Sequence, residues 1–340
     1  MAEGYTSSEG GSTSRRALDE SGKLYTQMKS HIATNGQLDR HGFPRPGGAA
    51  NRAHFLESEW LNITKVSPCK SNEFNNSTHK KCRRCKKDFT IETPDRVTGG
   101  QCTYHHGRCW NNIWKCCGKQ EGSRGCTTAG THVHDDNMRD PSGYVTTVIK
   151  PTPENGNPGM YAIDCEMSYT INGLELTSVC IVDHNLKTVY HSYVKPDSRM
   201  LDYNTIHSGV TERDLQGVST TLKDVQNFML ETFSKDTILI GHSLESDFVA
   251  LKLIHETVVD TSLMYPHPRG LPFKSALRTL AEKHLRLYIQ RGTHDSKEDA
   301  VACMKLAIAK VRRQSFSSGR GSSARGGRNR GLENFLLDFF

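Results

Sequence analysis

No apolar run of 18 or more residues occurs in this 340-residue chain, which excludes a membrane-spanning helix. Hydrophobic residues are also scarce, at 35% of the total, so part of the length is expected not to fold. The N-terminal stretch MAEGYTSSEGGSTSRR has no apolar signal core, which points to an intracellular protein. The Asn-x-Thr and Asn-x-Ser sequences at Asn62 and Asn75 then carry no meaning as glycosylation sites. In a reducing compartment, eleven cysteines argue for metal sites over disulfides. Acidic residues are missing from Lys310 to Arg330, where seven bases stand alone. Outside that segment 37 basic residues balance 37 acidic ones. The net charge of +7 therefore belongs to a tail, suited to nonspecific attraction to phosphates.

Acids do occur in one informative pattern. Asp164 and Glu166 lie in YAIDCEMS, behind an apolar run that reads as a buried strand. Side chains at i and i+2 of a strand share a face, so both carboxylates can reach one metal cluster. Asp247 follows the apolar strand TILIGHS, on a helix starting near Leu244. His294 and Asp299 frame HDSKEDA, with Asp299 inside a helix and His294 just before it. Four carboxylates suit Mg²⁺ or Mn²⁺. Two such ions can clamp the attacking and leaving oxygens of a phosphoryl displacement. Asp164 is the candidate to bridge both ions. His294 is the candidate base for the attacking water, because imidazole titrates near working pH. Met167, next to the motif, is a candidate contact for a terminal nucleotide.

A second pattern occupies residues 69–134. Cys82, Cys85, Cys102, His105, Cys116, Cys117, Cys126 and either His132 or His134 supply ligands for two tetrahedral zinc sites. Zinc would contribute the folding free energy that so polar a block cannot draw from a core. Cys69 and Cys109 have no assigned role. Cys165, Cys180 and Cys303 fall in apolar patterns and read as core.

The acid and histidine motifs resemble those of the DEDD 3′→5′ exonucleases, in the subclass whose third motif carries a histidine. The segments CEMSYTINGLELTSVCIVD, VKPDSRMLDYNTIHSGVTERDL, DTILIGHSLESDFVALKLIHETVVDT and HDSKEDAVACM closely resemble the eukaryotic RNA exonuclease 1 group. The resemblance covers residues 159–312 and extends upstream into LYTQMKSHIATNGQLDRHGFPRP. It implies an RNase H-like fold, removal of nucleotides from RNA 3′ ends, and residence in the nucleus or nucleolus. The Cys/His block resembles the CHORD zinc module and the Cys-rich block of the same exonuclease group. His105-His106-Gly107 replaces the usual His-Pro-Gly of the CHORD, so a CHORD's partner function does not carry over.

The expected fold class is α/β: an RNase H-like mixed sheet flanked by helices, preceded by a small zinc-stabilised Cys/His-rich domain. The expected organisation is disorder over 1–20, a short helical segment over 21–60, the zinc domain over 61–136 and a linker over 137–158. The exonuclease domain follows over 159–313, then an RG-rich tail over 314–331 and an apolar peptide over 332–340. Leu24, Met28 and Ile32 mark the short helix. TTLKDVQNFMLETF marks a helix capped by Thr220 or Thr221. Arg320, Arg325 and Arg328 of the tail resemble RGG segments that hold RNA loosely. The terminal peptide and the zinc domain are candidate docking sites for a protein partner. Motifs alone do not separate RNA from DNA, or an enzyme from an RNA-binding scaffold that keeps the fold.

Overall fold

The computed structural model describes residues 11–56, 77–271 and 273–318. Arg320, Arg325, Arg328, Cys69 and the 332–340 peptide lie outside the described residues. None of the described helices is long and apolar enough to cross a membrane.

The centre is a six-stranded sheet. Its strands are β1 (Met160–Thr170), β2 (Gly173–Asp183), β3 (Thr188–Tyr193), β4 (Met200–Asp202), β5 (Ile238–Gly241) and β6 (Val258–Asp260). The spatial order is β3-β2-β1-β5-β6, with β4 paired to the far end of β1. β1, β2 and β3 form an antiparallel meander, whereas β5 joins β1 and β6 joins β5 in parallel. A meander followed by parallel crossovers is the topology of an RNase H-like sheet, as the strand order in the sequence predicts. The parallel connections run through α3 (Leu222–Thr232) and α4 (Glu245–Ala250), and α5 (Leu277–Leu285) and α6 (Ser296–Ser318) follow the last strand. Thr221 closes a capping box with Asp224 at the head of α3.

Period-two alternation sorts the central strand onto two cores. Met160 and Ala162 join Cys180, Val182, Ile238 and Ile240 under α5 and α6. Ile163 and Cys165 join Val179, Ile181 and Leu239 on the other face, with Val225 and Met229 of α3 and Phe248 of α4. Asp164 and Glu166 continue the first register, so they emerge on the α6 side, where Asp299 lies. The three core cysteines predicted from the pattern, Cys165, Cys180 and Cys303, are all buried.

The upstream segments are parts of this core rather than separate pieces. Helix α1 runs from Gly11 to Met28, earlier than the predicted boundary near residue 21. Met28 and Tyr25 bury against the α6 core, and a docked turn propagates helix at little further cost. After α2 (Asn35–Arg40), Leu38 and Phe43 enter the second core, and the Phe43 and Phe248 rings meet edge to face at 5.7 Å. The Ala33 amide donates to the Val258 carbonyl at 2.8 Å, covering the outer edge of β6.

Residues 137–158 differ from a free linker. Val145–Thr146 pairs in parallel with Leu253–Ile254, and Tyr144 is only 1% exposed. Lys252 donates to Asp140 at 2.8 Å. A two-residue strand leaves no periodicity to read, so proline and glycine content dominated the sequence reading. At the other end α6 extends to Ser318, past the expected tail boundary at 314, and Arg313 donates to the His284 carbonyl at 2.9 Å.

The Cys/His block folds as small antiparallel pieces. His79–Lys81, Asp88–Thr93 and Arg96–Val97 form one sheet, Cys102–Tyr104 pairs with Thr127–Ala129, and Cys109–Trp110 pairs with Ile113–Trp114. Among its described residues the buried apolar cluster is Cys82, Phe89, Cys102 and Tyr104, with Val133 also buried between His132 and His134, little to hold a fold unaided.

Tyr144→Ala should lower the chemical unfolding midpoint by an amount equivalent to about 3 kcal/mol, the usual cost of emptying a large buried aromatic site. An unchanged midpoint would mean that residues 140–158 do not stabilise the nuclease core.

Candidate active site

Each acid is fixed by its own local device. Asp164 and Glu166 sit opposite Cys180 and Ser178 of β2, and a register shift follows between Glu166 and Met167. The bulge re-aims the strand just past the acids. Gly241 ends β5, where a Cβ would lie 2.4 Å from Leu244 and 2.9 Å from the Ile163 carbonyl oxygen. Only glycine allows α4 to start that close to β1. Ser243 then adopts φ 57°, and the Asp260 carboxylate accepts from the Ser243 and Leu244 amides at 3.1 and 3.0 Å. This anchors the head of α4, as the N-terminal dipole favours. α4 in turn presents Asp247, whose Oδ1 accepts from the Cys165 amide at 2.8 Å.

On α6, Asp295 caps the helix through the Lys297 and Glu298 amides, both at 2.9 Å. Asp299 comes one turn in, 3% exposed, and its Oδ2 lies 3.4 Å from Nδ1 of His294, which is 41% exposed. The His294 backbone rests on Gly209 (φ +69°), where a Cβ would fall 2.4 Å from the His294 carbonyl oxygen. Ligand atoms of Glu166, His294 and Asp299 all lie within 4.8 Å of one another. Asp164 and Asp247 stand in the same electrostatic field, because each carboxylate acts on its neighbours.

Burial, with repulsion from neighbouring carboxylates, raises Asp164, Glu166 and Asp247. Burial, then Asp247, Asp299 and Glu166, push Asp164 well above the usual carboxylate range. Burial, then Asp299 and Asp247, push Glu166 to about 9, and burial carries Asp247 to about 8. Oε1 of Glu166 and Oδ1 of Asp299 are buried and have no hydrogen-bond partner. Buried oxygens of this kind call for a partner, and hard carboxylate oxygens in a cluster fit a divalent cation.

Four further residues shape the site. Gln290 donates to Asp299 Oδ2 at 2.7 Å from an irregular loop. Lys274 donates to Glu245 at 2.6 Å and to Ser243 at 3.2 Å, beside the start of α4. His207 has a lowered pKa, through burial first and then through His294 and His106. His106 belongs to the Cys/His block, so that block lies beside the catalytic cleft. Arg84 makes the firmest bridge between the two, with a bidentate pair to Asp202 at 2.7 and 2.9 Å. Its guanidinium also lies over the rings of Tyr104 and Tyr169, at 4.8 and 5.1 Å. Met167 is half-buried at the rim of the second core.

The Cys/His residues gather into two groups. Cys82, Cys85, Cys102 and His132 form one, and His105, Cys116, Cys117 and Cys126 the other. The pairing left open by spacing is thus resolved: His132 is brought in, whereas His134 meets the Ile171 carbonyl at 3.0 Å. Both neighbouring cysteines, Cys116 and Cys117, face one centre, at 3.6 and 3.5 Å from Nδ1 of His105. The Sγ atoms of Cys82 and Cys102 are 3.7 Å apart, and those of Cys126 and Cys116 are 3.5 Å apart. A tetrahedral zinc thiolate site requires about 3.8 Å, so the residues fit zinc. The second ring nitrogens of His132 and His105 face the Gly99 and Ser123 carbonyls at 3.2 and 3.1 Å, which fixes Nδ1 as the ligand atom. Burial raises the Cys82 thiol, but hydrogen bonds from Cys85, Val133, His132 and Arg84 outweigh it and bring it to about 6. Cys126 falls to about 7, chiefly through Thr127. Thiolates are the metal-binding form.

An RNase H-like sheet with carboxylates crowded at its strand ends is the frame of a nuclease domain. Close homologues of the chain carry that name. It is 44% identical over 305 residues to human RNA exonuclease 1 homolog, an alignment covering 85% of this chain and 24% of that protein. Identity to the chimpanzee exonuclease GOR is 39% over 317 residues, covering 88% of this chain and 44% of that one. Yeast RNA exonuclease 1 is 44% identical over 158 residues, covering 46% of this chain and 29% of its own. The chain thus spans less than half the length of these relatives. No family model matches. Among solved structures, the Pan2 catalytic unit of Neurospora crassa aligns with a TM-score of 0.41 and 22% identity, covering 58% of this chain and 32% of that one. The yeast Pan2 module in complex with AAGGA RNA gives 0.42 and 20%, covering 50% and 32%.

Elemental analysis should find two zinc ions per chain, and His132→Ala should reduce this to one without emptying the Cys116–Cys117 site. A wild-type stoichiometry below two would refute the pairing. In magnesium-free buffer, the folded protein retains protons on Glu166 and Asp247 that the unfolded chain releases. Its stability should therefore fall as pH rises from the ordinary carboxylate range towards 8 and 9. Added Mg²⁺ should restore stability most at the alkaline end, and denaturant midpoints across that window check the sign.

Proposed function

We propose that the chain is a metal-dependent 3′→5′ exoribonuclease, removing 5′-nucleotides by hydrolysis. The observation that carries this reading is the buried, partnerless pair of carboxylate oxygens on Glu166 and Asp299, with His294 alongside. Asp164, Glu166, Asp247 and Asp299 would hold two Mg²⁺ or Mn²⁺ ions. When bound, the ions would neutralise charge on the reacting phosphate and on both exchanged oxygens. His294 is exposed enough to meet solvent and stands against Asp299. That carboxylate orients the imidazole, so His294 can take the proton of the attacking water. Gln290 holds Asp299 from behind. Met167 is assigned to the terminal nucleotide, and Arg320, Arg325 and Arg328 to loose attraction of the phosphate backbone. Relatives named as RNA exonucleases support RNA as the substrate. The proposed setting is RNA processing or turnover in the nucleus.

The test uses purified protein with Mg²⁺ and matched 5′-labelled RNA and DNA oligonucleotides. A ladder shortening by single nucleotides from the 3′ end is expected on RNA. Asp164→Ala and Glu166→Ala should abolish it, and His294→Ala should slow turnover by about 10² to 10⁴-fold. Near-wild-type rates in either carboxylate variant would overturn the assignment, and cleavage of DNA alone would overturn the substrate.

A further inference from the structure

Beyond the catalytic cleft, the loop between β6 and α5 meets the Cys/His block at a cluster of aromatic and cationic groups. Trp110 is 51% exposed and Phe273 is 40% exposed. The Arg269 guanidinium lies between them, 3.7 Å from the centre of the Phe273 ring and 5.5 Å from that of Trp110. His267 follows, its ring 5.5 Å from Phe273. From His267 a cavity of about 480 Å³ opens, with Lys274, Lys283 and Lys310 in its wall and no Asp or Glu among its lining residues. Lys310 stands 5.0 Å over the Tyr265 ring in the same wall. One residue of its wall links it to the active site. Lys274 touches Ser243 and Glu245 at the head of α4, the helix that presents Asp247.

We infer that this surface is a path for the single-stranded RNA behind the 3′ terminus, with bases stacking on Trp110 and Phe273 and phosphates entering the lysine-lined cavity. The inference rests on the exoribonuclease reading. Exposed aromatics interleaved with cations are what a flexible polyanion with flat bases needs. A cavity with no acid in its wall, and with Lys283 and Lys310 beside the Glu245-paired Lys274, is matched to phosphate. The tie through Lys274 to the helix that presents Asp247 favours the substrate strand itself over an unrelated anion.

The arrangement also gives the second zinc group a task. Trp110 sits on the short hairpin Cys109–Trp110/Ile113–Trp114. Trp114 stacks on the ligand His105 at 4.4 Å and 9° between planes. The metal site thereby fixes the hairpin that aims Trp110 at the nuclease loop. The Cys/His block becomes one wall of the substrate path.

The test measures binding without turnover, using the full chain with Ca²⁺ in place of Mg²⁺. The probes are fluorescein-labelled single-stranded RNAs of mixed sequence, 3 and 15 nucleotides long on the order of one and several stacking positions. Trp110→Ala combined with Phe273→Ala should raise the Kd of the longer RNA by about 10- to 100-fold, with a much smaller change for the short one. Lys283→Gln combined with Lys310→Gln should also weaken the longer RNA and make its salt dependence shallower by about 1.4 in logarithmic slope. Zinc content and unfolding midpoint are measured on each variant, and the lysine pair keeps the test alive if the aromatic pair misfolds. An unchanged Kd for the longer RNA in both variants overturns the path, as does an equal loss for both lengths. Failure of the wild type to shorten RNA would instead overturn the exoribonuclease reading, and that assay is separate from these.

Discussion

Like charges held together away from water dominate this molecule. Bringing Asp164, Glu166, Asp247 and Asp299 into one half-enclosed cleft costs free energy that neither hydrogen bonds nor solvent returns. Two of the acids, and the helix that carries one of them, are therefore held by the scaffold. Asp247 is tied to the β1 backbone, Asp299 to Gln290, and the whole head of α4 to Asp260. The glycine at the end of β5 and the cap on α6 serve the same end. The protein's scaffold keeps four repelling groups in place, and their hard oxygens fit a divalent cation.

Much of this was legible in the chain. The acids stand on strongly patterned elements, and strand alternation alone puts Asp164 and Glu166 on one face. A continuous apolar run identified β5 as an interior strand, and the helix pattern of α6 placed Asp299 close to where it lies. The composition of the Cys/His block likewise specified two tetrahedral groups. Proximity that depends on distant parts of the chain was not legible. Gln290 lies in a loop with no periodicity, and Arg84 meets Asp202 across 118 positions. The pairing of thiols and the choice of His132 over His134 depend on how three small sheets fold together, which spacing does not encode.

The Cys/His block and the nuclease sheet are coupled by more than a tether. Arg84 sits between two tyrosines, one from each part, and pairs with Asp202 on the β4 strand beside β1. Arg84 lies between Cys82 and Cys85, so a metal that orders that loop also orders the arginine. Partial burial makes such a bidentate pair worth more than an exposed one. An alignment over 85% of the chain must span both parts, as expected if they are inherited as a unit.

The single hydrogen bond from Ala33 to Val258, with Leu38 and Phe43 packed behind it, has a practical meaning for anyone trimming this chain. A fragment begun at residue 159, where the motifs suggest the enzyme starts, would leave β6 as a bare, apolar edge. Such edges invite pairing with other copies. In the whole chain that edge is covered by the N-terminal strap, so strap and nuclease sheet are two pieces of one fold separated by the entire Cys/His block.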